Sequence, residues 1–181
     1  MTISDAPAIA AAEELFSETA DGDWFLLRTR SRQEKIISAD LSARHVANFL
    51  PLMRCVRYYG GHKAVVDMPL FPGYVFLRGT PEDAYSLDRA GRIAQIITIA
   101  NQRKVNWELK NIDFALNNEA PLSRFPYLKQ GVRVEVRSGP LRGLQGIVES
   151  RTKRHRLVLQ VDILGTAVSV EVDGALLDVI E

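Results

Sequence analysis

The last third of the chain carries a regular alternation of apolar and polar residues. In the segment GVRVEVRSGPLRGLQGIVE, residues 131–149, Val132, Val134 and Val136 alternate with charged residues. This is the period of a half-buried β-strand. A Ser-Gly-Pro turn follows, and further glycines lead into a second strand at positions 147 and 148. Glycine at such points supplies a positive φ or lets two backbones approach closely. The segment therefore predicts a β-hairpin.

The pattern over residues 24–117 predicts helices alternating with strands. Ser31 and Glu34 have the spacing of a helix capping box, and Gly60-Gly61 is typical of a hairpin turn. Thr80 and Pro81 fit the start of a helix. The predicted elements are strands at Trp24–Leu27, Phe49–Tyr58 (interrupted by Pro51), Lys63–Met68, Tyr74–Leu77 and Ile93–Ile99, and helices after Ser31, from Thr80 to Gly91 and at Val105–Asn117.

This β-α-β-β-β-α-β-α order predicts an α+β fold in which helices pack on one face of a mainly antiparallel sheet. Pro121 and Pro126 indicate a linker, and only strand signals follow, at 132–137, 144–149, 156–163, 167–172 and 176–179. The predicted organisation is an acidic disordered tail at 1–22, a first domain at 23–118, a linker at 119–127 and a small β-barrel at 128–181.

The net charge of +1 conceals a strong local asymmetry. Residues 1–23 hold six acidic residues and no Lys or Arg, whereas residues 24–63 hold eight basic residues against Glu34 and Asp40. Such a basic segment is a candidate surface for nucleic acid or an acidic partner. The alternative is an ordinary solvated helix flank, and charge alone does not separate the two.

Composition favours a soluble cytoplasmic protein that is not an enzyme. No apolar run approaches the length of a membrane span, and the start lacks the pattern of a secretory signal. The single cysteine, Cys55, excludes an internal disulfide. His45, His62 and His155 lack metal-ligand spacing, and neither a phosphate-binding loop nor a nucleophile elbow is present. We expect no catalytic residue, no cofactor, no metal ion and no membrane association.

Three stretches of the chain together resemble one family. The hairpin at 131–149 resembles the KOW motif of small SH3-like β-barrels, which occur in ribosomal proteins and NusG-type transcription factors. Trp24–Leu27, the basic helix and the sequence PLFPGYVF at 69–76 resemble the N-terminal domain of NusG-type elongation factors. The sequence ILGTAVSVEV at 163–172 is similar to the final barrel hairpin of that family. The resemblance covers residues 24–181.

The resemblance implies that RNA polymerase is the partner. Family members bind the clamp helices of its largest subunit, hold the clamp closed, suppress pausing and promote antitermination. Carried over by motif, the polymerase-binding candidates are Trp24, Phe71, Tyr74 and Phe76. Aromatic side chains dominate interface energetics, although each of these could instead belong to the core. Tyr85–Asp88 matches the place of a gate-loop contact to the second-largest subunit, but it lacks the threonine run of some paralogues.

Basic residues near the first helix and at the hairpin tip are candidates for binding non-template or upstream DNA. Lys and Arg side chains there would meet phosphates. The alternatives are a solvated face and a plain exposed turn. The candidates are Arg28, Arg30, Arg32 and Lys35 in the first group, and Arg57, His62 and Lys63 in the second.

For the barrel, the resemblance implies a second partner, either Rho or a small-subunit ribosomal protein. The candidate contact is the turn Ile163, Leu164, Gly165 and Thr166. Thr166 and Ser169 stand where the general factor usually carries Arg and Pro, a departure that puts Rho binding in doubt without excluding it. The short hairpin at Tyr58–Lys63, the sequence Met68–Pro72 and Phe76 favour a specialised paralogue of the RfaH type over a general NusG. Because β-branched residues recur at strand period, we expect a stable barrel without an alternative helical form.

A ribosomal RNA-binding KOW protein is the alternative from a different class. The basic loop Arg151–Arg156 could bind RNA phosphates, or it could be an exposed turn. Ribosomal proteins are usually strongly basic, whereas this chain is almost neutral. The N-terminal domain would also have no role in such a protein. We therefore expect a monomeric transcription factor.

Overall fold

The structure is a computed structural model that describes residues 14–87, 91–125, 131–148 and 155–180. It divides into two compact units, Met1–Gln102 and Arg103–Glu181. The basic loop predicted at 151–156 lies outside the described residues except for its last two positions, and so does the tail before Glu14.

The first unit is built on an antiparallel four-stranded sheet. The strand order is β2-β5-β1-β6, and a separate two-stranded sheet is formed by β3 and β4. The sheet strands are β1 (Asp23–Thr29), β2 (Ala47–Phe49), β5 (Tyr74–Gly79) and β6 (Ile93–Thr98), the hairpin strands are β3 (Leu52–Tyr59) and β4 (His62–Pro69), and the helices are α1 (Glu34–Ala43) and α2 (Pro81–Tyr85).

Both helices contribute to a core on one face of this sheet. Phe25 and Leu27 on β1 alternate with residues of the opposite face, as strand geometry requires. They pack with Val75 and Leu77 of β5 and with residues of α1 and α2. The predicted α+β class, with helices on an antiparallel sheet, is confirmed.

Both predicted helices are present, but the predicted cap forms at α2 and not at α1. Thr80 and Asp83 form a reciprocal capping box at the start of α2. At α1 the helix begins after Gln33, which makes no side-chain cap. The carboxylate of Glu34, expected to complete a capping box with Ser31, instead accepts a hydrogen bond from the distant Gly73 N–H.

Two further predictions concern element boundaries. The strand predicted at 49–58 with an interruption at Pro51 is divided there into β2 and β3, because proline lacks the N–H that a continuous ladder needs. The α-helix predicted to reach Gly91 ends at Tyr85. Residues 88–90 lie outside the described part of the chain.

The described part of the predicted disordered tail is packed. Phe16 is buried, with 4% of its surface exposed, and its ring lies against Trp24 and Phe49. Residues 14–22 are therefore attached to the first unit through Phe16, whose ring belongs to its core. An apolar ring buried from water outweighs the acidic, alanine-rich composition that suggested disorder.

The second unit combines one helix with an antiparallel sheet of order β12-β8-β9-β10-β11-β7. The predicted strands of the KOW region are confirmed. Its elements are α3 (Gln102–Asn117), β7 (Ser123–Phe125), β8 (Val132–Val136), β9 (Gln145–Val148), β10 (His155–Val161), β11 (Thr166–Val172) and β12 (Leu177–Val179), with 3₁₀ turns at Asp162–Leu164 and Gly174–Leu176.

The unit boundary lies earlier in the chain than the predicted linker. Apart from Gln102, α3 falls in the second unit, where its side chains hydrogen-bond to Gln145 and Asp162. The segment predicted as a linker at 119–127 contains β7, which pairs with β11. These residues complete a sheet edge, a long-range pairing that the proline-rich local sequence does not reveal.

Candidate functional site

A tyrosine and an arginine lie side by side on the sheet face opposite the helices. Arg28 of β1 pairs with Tyr74 of β5 on one side and with Gln95 of β6 on the other. Directly paired residues share a face, so the three side chains form one row. Arg28 and Gln95 are exposed and Tyr74 is half-buried. At this row, Tyr74–Arg28–Gln95, one end of the sheet face is accessible to solvent.

Most of the remaining part of that face is buried. Trp24 and Phe76 are 1% and 0% exposed, and Phe71, in the turn before β5, is also buried. A side chain without exposed surface has nothing to offer a partner. These three residues belong to the core, which corrects their assignment as contact residues. Of the four predicted polymerase-binding residues, only Tyr74 reaches the surface.

The turn before Tyr74 is fixed to two neighbouring elements. Gly73 N–H donates to the Glu34 carboxylate at 2.7 Å, and the Gly73 carbonyl accepts from Thr29 N–H at 2.8 Å. Glu34 is buried, so its hydrogen bond is shielded from water and strengthened. The FPGY turn, helix α1 and the end of β1 therefore hold Tyr74 in a defined place.

The first group of predicted nucleic-acid-binding residues lies at the same end of β1. Arg28, Arg30 and Arg32 are all exposed, and Arg32 has a φ of 61°, unusual for a residue other than glycine. Lys35 is exposed too, but its ammonium donates to the backbone carbonyl of Asp67 at 2.7 Å. The structure places Arg28 beside Tyr74, and Arg30 and Arg32 follow the end of β1, whereas Lys35 connects α1 to β4.

The second basic group lies at the tip of the β3–β4 hairpin. Arg57, His62 and Lys63 are exposed, and the Arg57 guanidinium donates to the Met68 sulfur at 3.1 Å. The sequence predicted these basic residues as a site, but the aromatic side chains between them, Tyr58 and Tyr59, were not predicted to belong to it. Their position, as two adjacent tyrosines directly before a Gly-Gly turn, is the sequence signal that could have identified them.

Arg78 is a buried cation that sequence reasoning missed. Its guanidinium donates to four backbone carbonyls, those of Leu15, Ser17, Ala20 and Gly22, at 2.6–3.3 Å. It also lies over the Trp24 ring, 5.7 Å from the centroid. Burial lowers the pKa of Arg78, and the acidic residues Asp23 and Asp21 oppose that shift. This side chain binds the segment before β1 to the sheet.

In the second unit, the predicted partner-binding turn joins β10 to β11. Ile163 is 40% exposed, Gly165 is exposed with a φ of 59°, and Leu164 and Thr166 are half-buried. The structure therefore places all four at a hairpin turn. Ser169, which stands where the general factor usually carries Arg or Pro, is buried and offers no surface to a partner.

The same turn is connected to α3 by a buried carboxyl. Asp162 N–H donates to the Glu108 carboxylate at 3.2 Å, and the Asp162 carboxylate pairs with Lys104. Burial raises the pKa of Glu108 to about 7, and the positive charge of Lys104 partly opposes this shift. Near neutral pH the Glu108 carboxyl therefore exists in both protonation states.

Further along α3, Trp107 and Asn111 contact the strands. Trp107 Nε1–H donates to the Gln145 side-chain oxygen at 2.8 Å, and the Arg133 guanidinium lies 4.3 Å from the Trp107 ring centroid. The Asn111 side-chain oxygen accepts from Gln145 N–H at 2.8 Å. Each buried polar group here has a partner, which fixes the register between helix and strand.

The described ranges contain neither a cluster of metal-ligating side chains nor a helix suited to cross a membrane. Among those residues, no three His, Cys, Asp or Glu side chains come together as a metal site would require. None of the described helices has the length and apolar character of a membrane span.

Comparison with known proteins identifies the family. The family model described as "Transcription termination factor nusG" matches residues 22–113, just over half of the chain. The transcription termination/antitermination protein NusG of Escherichia coli K12 is 28% identical over 131 residues, covering 68% of this chain and 72% of that protein. The protein of the same name from Yersinia pestis is 26% identical over 151 residues, covering 80% and 83%.

A solved structure described as "Domain interaction in Thermotoga maritima NusG" aligns over 89% of this chain and 98% of that chain. The sequence identity is 17% and the TM-score is 0.44. The family assignment rests on the family model, whose match begins just before β1 and ends within α3. The chain belongs to the NusG family of transcription factors.

Proposed function

We propose that this chain is a NusG-type elongation factor that binds RNA polymerase through its first unit. The observation that carries the proposal is the family match over residues 22–113. The clamp helices of the largest subunit are the expected contact, with the gate loop of the second-largest subunit as a further one. By holding the clamp closed, the factor would suppress pausing and promote antitermination.

The open row Tyr74–Arg28–Gln95 is the proposed centre of the polymerase contact. Tyr and Arg are the residue types that dominate protein interfaces. Tyr74 sits in a turn fixed by Glu34 and Thr29, so little conformational entropy is lost when it is buried by a partner. The surrounding Arg28, Arg30 and Arg32 support an additional contact with the non-template strand through phosphates.

The second unit is the proposed adaptor. The exposed Ile163 at the β10–β11 turn supports an apolar contact with a second protein, and Rho and a small-subunit ribosomal protein are the candidates. The two residues that differ from the general factor do not distinguish between these partners, because Thr166 is half-buried and Ser169 is buried.

Substitution of Tyr74 tests the polymerase contact. Tyr74→Ala should weaken binding to core RNA polymerase by about tenfold or more, the usual loss at an interface hot spot. Tyr74→Phe keeps the ring and should retain most of the affinity. Val179→Ala, at an exposed position of the second unit, is the control. Unchanged binding by a folded Tyr74→Ala variant would remove Tyr74 from the interface.

Action with Rho is the second candidate function, because the named relatives are termination as well as antitermination proteins. Transcription in vitro on a template with one pause site and one Rho-dependent terminator separates the two. Read-through at both sites supports the antitermination factor, whereas increased release at the terminator supports the general factor. Recovery of a ribosomal subunit without polymerase in a pull-down would favour the rRNA-binding alternative.

A further inference from the structure

The β10–β11 turn, residues 162–166, is held by helix α3 at its first residue. Asp162 N–H donates to the Glu108 carboxylate at 3.2 Å, and the Asp162 carboxylate pairs with the Lys104 ammonium. Lys104 and Glu108 are four residues apart, so they lie on one face of α3. Both of these contacts therefore join the same face of the helix to a single residue of the turn.

The two contacts differ in how much water reaches them. Glu108 is buried, with 4% of its surface exposed, whereas the side chains of Lys104 and Asp162 are 48% and 28% exposed. A partly exposed ion pair contributes little, because water and salt screen it. A hydrogen bond to a buried carboxyl is stronger, and the ionised form of that carboxyl is costly to bury. The Glu108 contact therefore decides how firmly the turn is held.

The strength of the Glu108 contact depends on the protonation of its carboxyl. Burial raises the pKa of Glu108 from its ordinary value of 4.5 to about 7, and the positive charge of Lys104 opposes this shift. The acidic group that the turn brings, the Asp162 carboxylate, is paired with Lys104. When the turn leaves α3, the Glu108 carboxyl regains water and its pKa returns toward 4.5. The closed contact thus favours neutral Glu108, and the open one favours the ionised form.

A second contact, between α3 and β9, is made by uncharged groups of the helix. The Trp107 Nε1–H and the Asn111 side-chain oxygen both bond to Gln145 of β9. On β8, Arg133 lies over the Trp107 ring and Glu135 accepts from the Gln145 side chain. Because these bonds do not involve the buried carboxyl, they hold α3 on β9 in either state of that group, and a proton acts on the turn alone.

We propose that Glu108 is a positioning residue that couples a proton to the order of the β10–β11 turn. Neutral Glu108 holds the turn closed against α3, and ionised Glu108 lets it open while α3 remains on β9. Such a local opening requires far less free energy than unfolding of the whole unit. The coupling deepens the proposed function, and its effect on partner binding rests on that function. A turn held in one conformation loses less entropy when it binds, so neutral Glu108 should favour the partner.

Amide hydrogen exchange of the full chain, followed by NMR at pH 5 and pH 8, tests the coupling. Each measured rate is divided into the intrinsic rate at the same pH, which gives a protection factor for that amide. Protection of the Asp162 amide should fall by about 70-fold between the two pH values. Proton linkage gives this change for a pKa of 4.5 in the open form and about 7 in the closed form. The Gln145 amide, which donates to Asn111, should keep its protection.

Three variants identify the group that responds. Glu108→Gln keeps an acceptor for Asp162 N–H without a charge, so the protection of that amide should become independent of pH. Lys104→Met removes the charge that opposes the pKa shift, so the loss of protection should move to higher pH. Asp113→Asn is the matched control, because burial also raises the pKa of this second carboxyl of α3, and it should keep the wild-type profile.

The same amides supply the results that would overturn the coupling. One is a wild-type Asp162 amide whose protection does not change with pH. Another is an unchanged fall of that protection in Glu108→Gln. Equal falls at Asp162 and Gln145 would show that the whole helix separates from the strands, and they would also overturn it.

Binding of purified Rho and of small ribosomal subunits at pH 6 and pH 8 separates the coupling from the proposed function. Tighter binding at pH 6 by the wild type, absent in Glu108→Gln, supports both. Tighter binding at pH 8 that also requires Glu108 would overturn the predicted effect on the partner. If neither binds at either pH while the exchange profile is as expected, the adaptor role fails and the coupling of Glu108 to the turn stands.

Discussion

Phe16 stacks on Trp24, with ring centroids 5.8 Å apart and planes inclined by 23°. Phe16 also meets Phe49 edge-on at 5.2 Å. These are two of the preferred arrangements of aromatic rings. The segment before β1 therefore closes one end of the buried sheet face, while the Tyr74–Arg28–Gln95 row leaves the other end open.

Loss of the Arg78 side chain should detach residues 14–22 from the sheet. Arg78→Ala removes the guanidinium donor from the carbonyls of Leu15, Ala20 and Gly22, and one of two donors from the Ser17 carbonyl. We expect the free energy of unfolding to fall by about 3 kcal/mol, because unsatisfied buried polar groups are costly. Chemical denaturation followed by tryptophan fluorescence measures this loss.

Two variants control for the effect of Arg78. Arg78→Lys offers a compact ammonium in place of a planar fork and should recover only part of the stability. Arg28→Ala removes an exposed arginine from the neighbouring strand and should change stability by less than about 0.5 kcal/mol. If Arg78→Ala were as stable as the wild type, and its residues 14–22 as resistant to protease, the role of Arg78 would be disproved.

Gly22→Ala should be more damaging than Gly60→Ala, although both glycines have positive φ. Gly22 has a φ of +86°, and an added Cβ would lie 2.6 Å from the Gly79 Cα. Gly60 has a φ of +55° and open space around it. We expect losses of about 3 kcal/mol and about 1 kcal/mol, since only Gly22→Ala adds a backbone clash to the strain. Equal losses in thermal denaturation would contradict the close approach.

The buried Glu108 should make stability depend on pH between about 4.5 and 7. Its pKa is raised from 4.5 in the unfolded chain to about 7 in the folded one. The folded state thus binds the proton more tightly, and stability falls as pH rises through this window. Glu108→Gln, which stays neutral and can still accept from Asp162 N–H, should gain on the order of 2 kcal/mol relative to wild type at pH 8.

Denaturant titrations at pH 5 and pH 8 measure this difference. At the lower pH the wild type and Glu108→Gln should be close in stability, because the carboxyl is then protonated when folded. Glu119→Gln, at an exposed position of the same unit, should leave the pH profile unchanged. A Glu108→Gln variant with the wild-type profile would show that Glu108 is not the responsible group.

Asn111 should contribute to stability through its contact with β9. Asn111→Ala removes the acceptor of Gln145 N–H and the donor to the Trp107 carbonyl. We expect a loss of about 2 kcal/mol, because a buried N–H is left unsatisfied. Asn118→Ala removes only an exposed contact near the end of α3 and should cost less than about 1 kcal/mol. Equal costs would argue against the α3–β9 contact.

Element positions followed well from local pattern. The valines at 132, 134 and 136, the Gly60-Gly61 turn and the Thr80-Pro81 start all produced the predicted elements. These signals act between close neighbours, so the sequence displays them directly. The capping box at Ser31 failed because Glu34 had a more distant partner, Gly73.

The candidate site was less predictable. Basic residues at the end of β1 and at the hairpin tip were found from charge, and they are exposed as expected. The aromatic residues of the family motif could not be divided between surface and core, because alternation shows which residues share a face but not what covers that face. Only the structure placed Phe76 in the core and Tyr74 at the surface.

By itself, the sequence determined the α+β class, the order of the strands and helices, and the resemblance to NusG factors. These depend on periodicity, turn residues and short motifs. Only the long-range contacts of the folded chain show that Arg78 binds carbonyls of residues 15–22, that α3 contacts β9, and that Tyr74 lies beside Arg28. Each of these joins residues far apart in sequence, and their energy arises from burial and register, which no local pattern encodes.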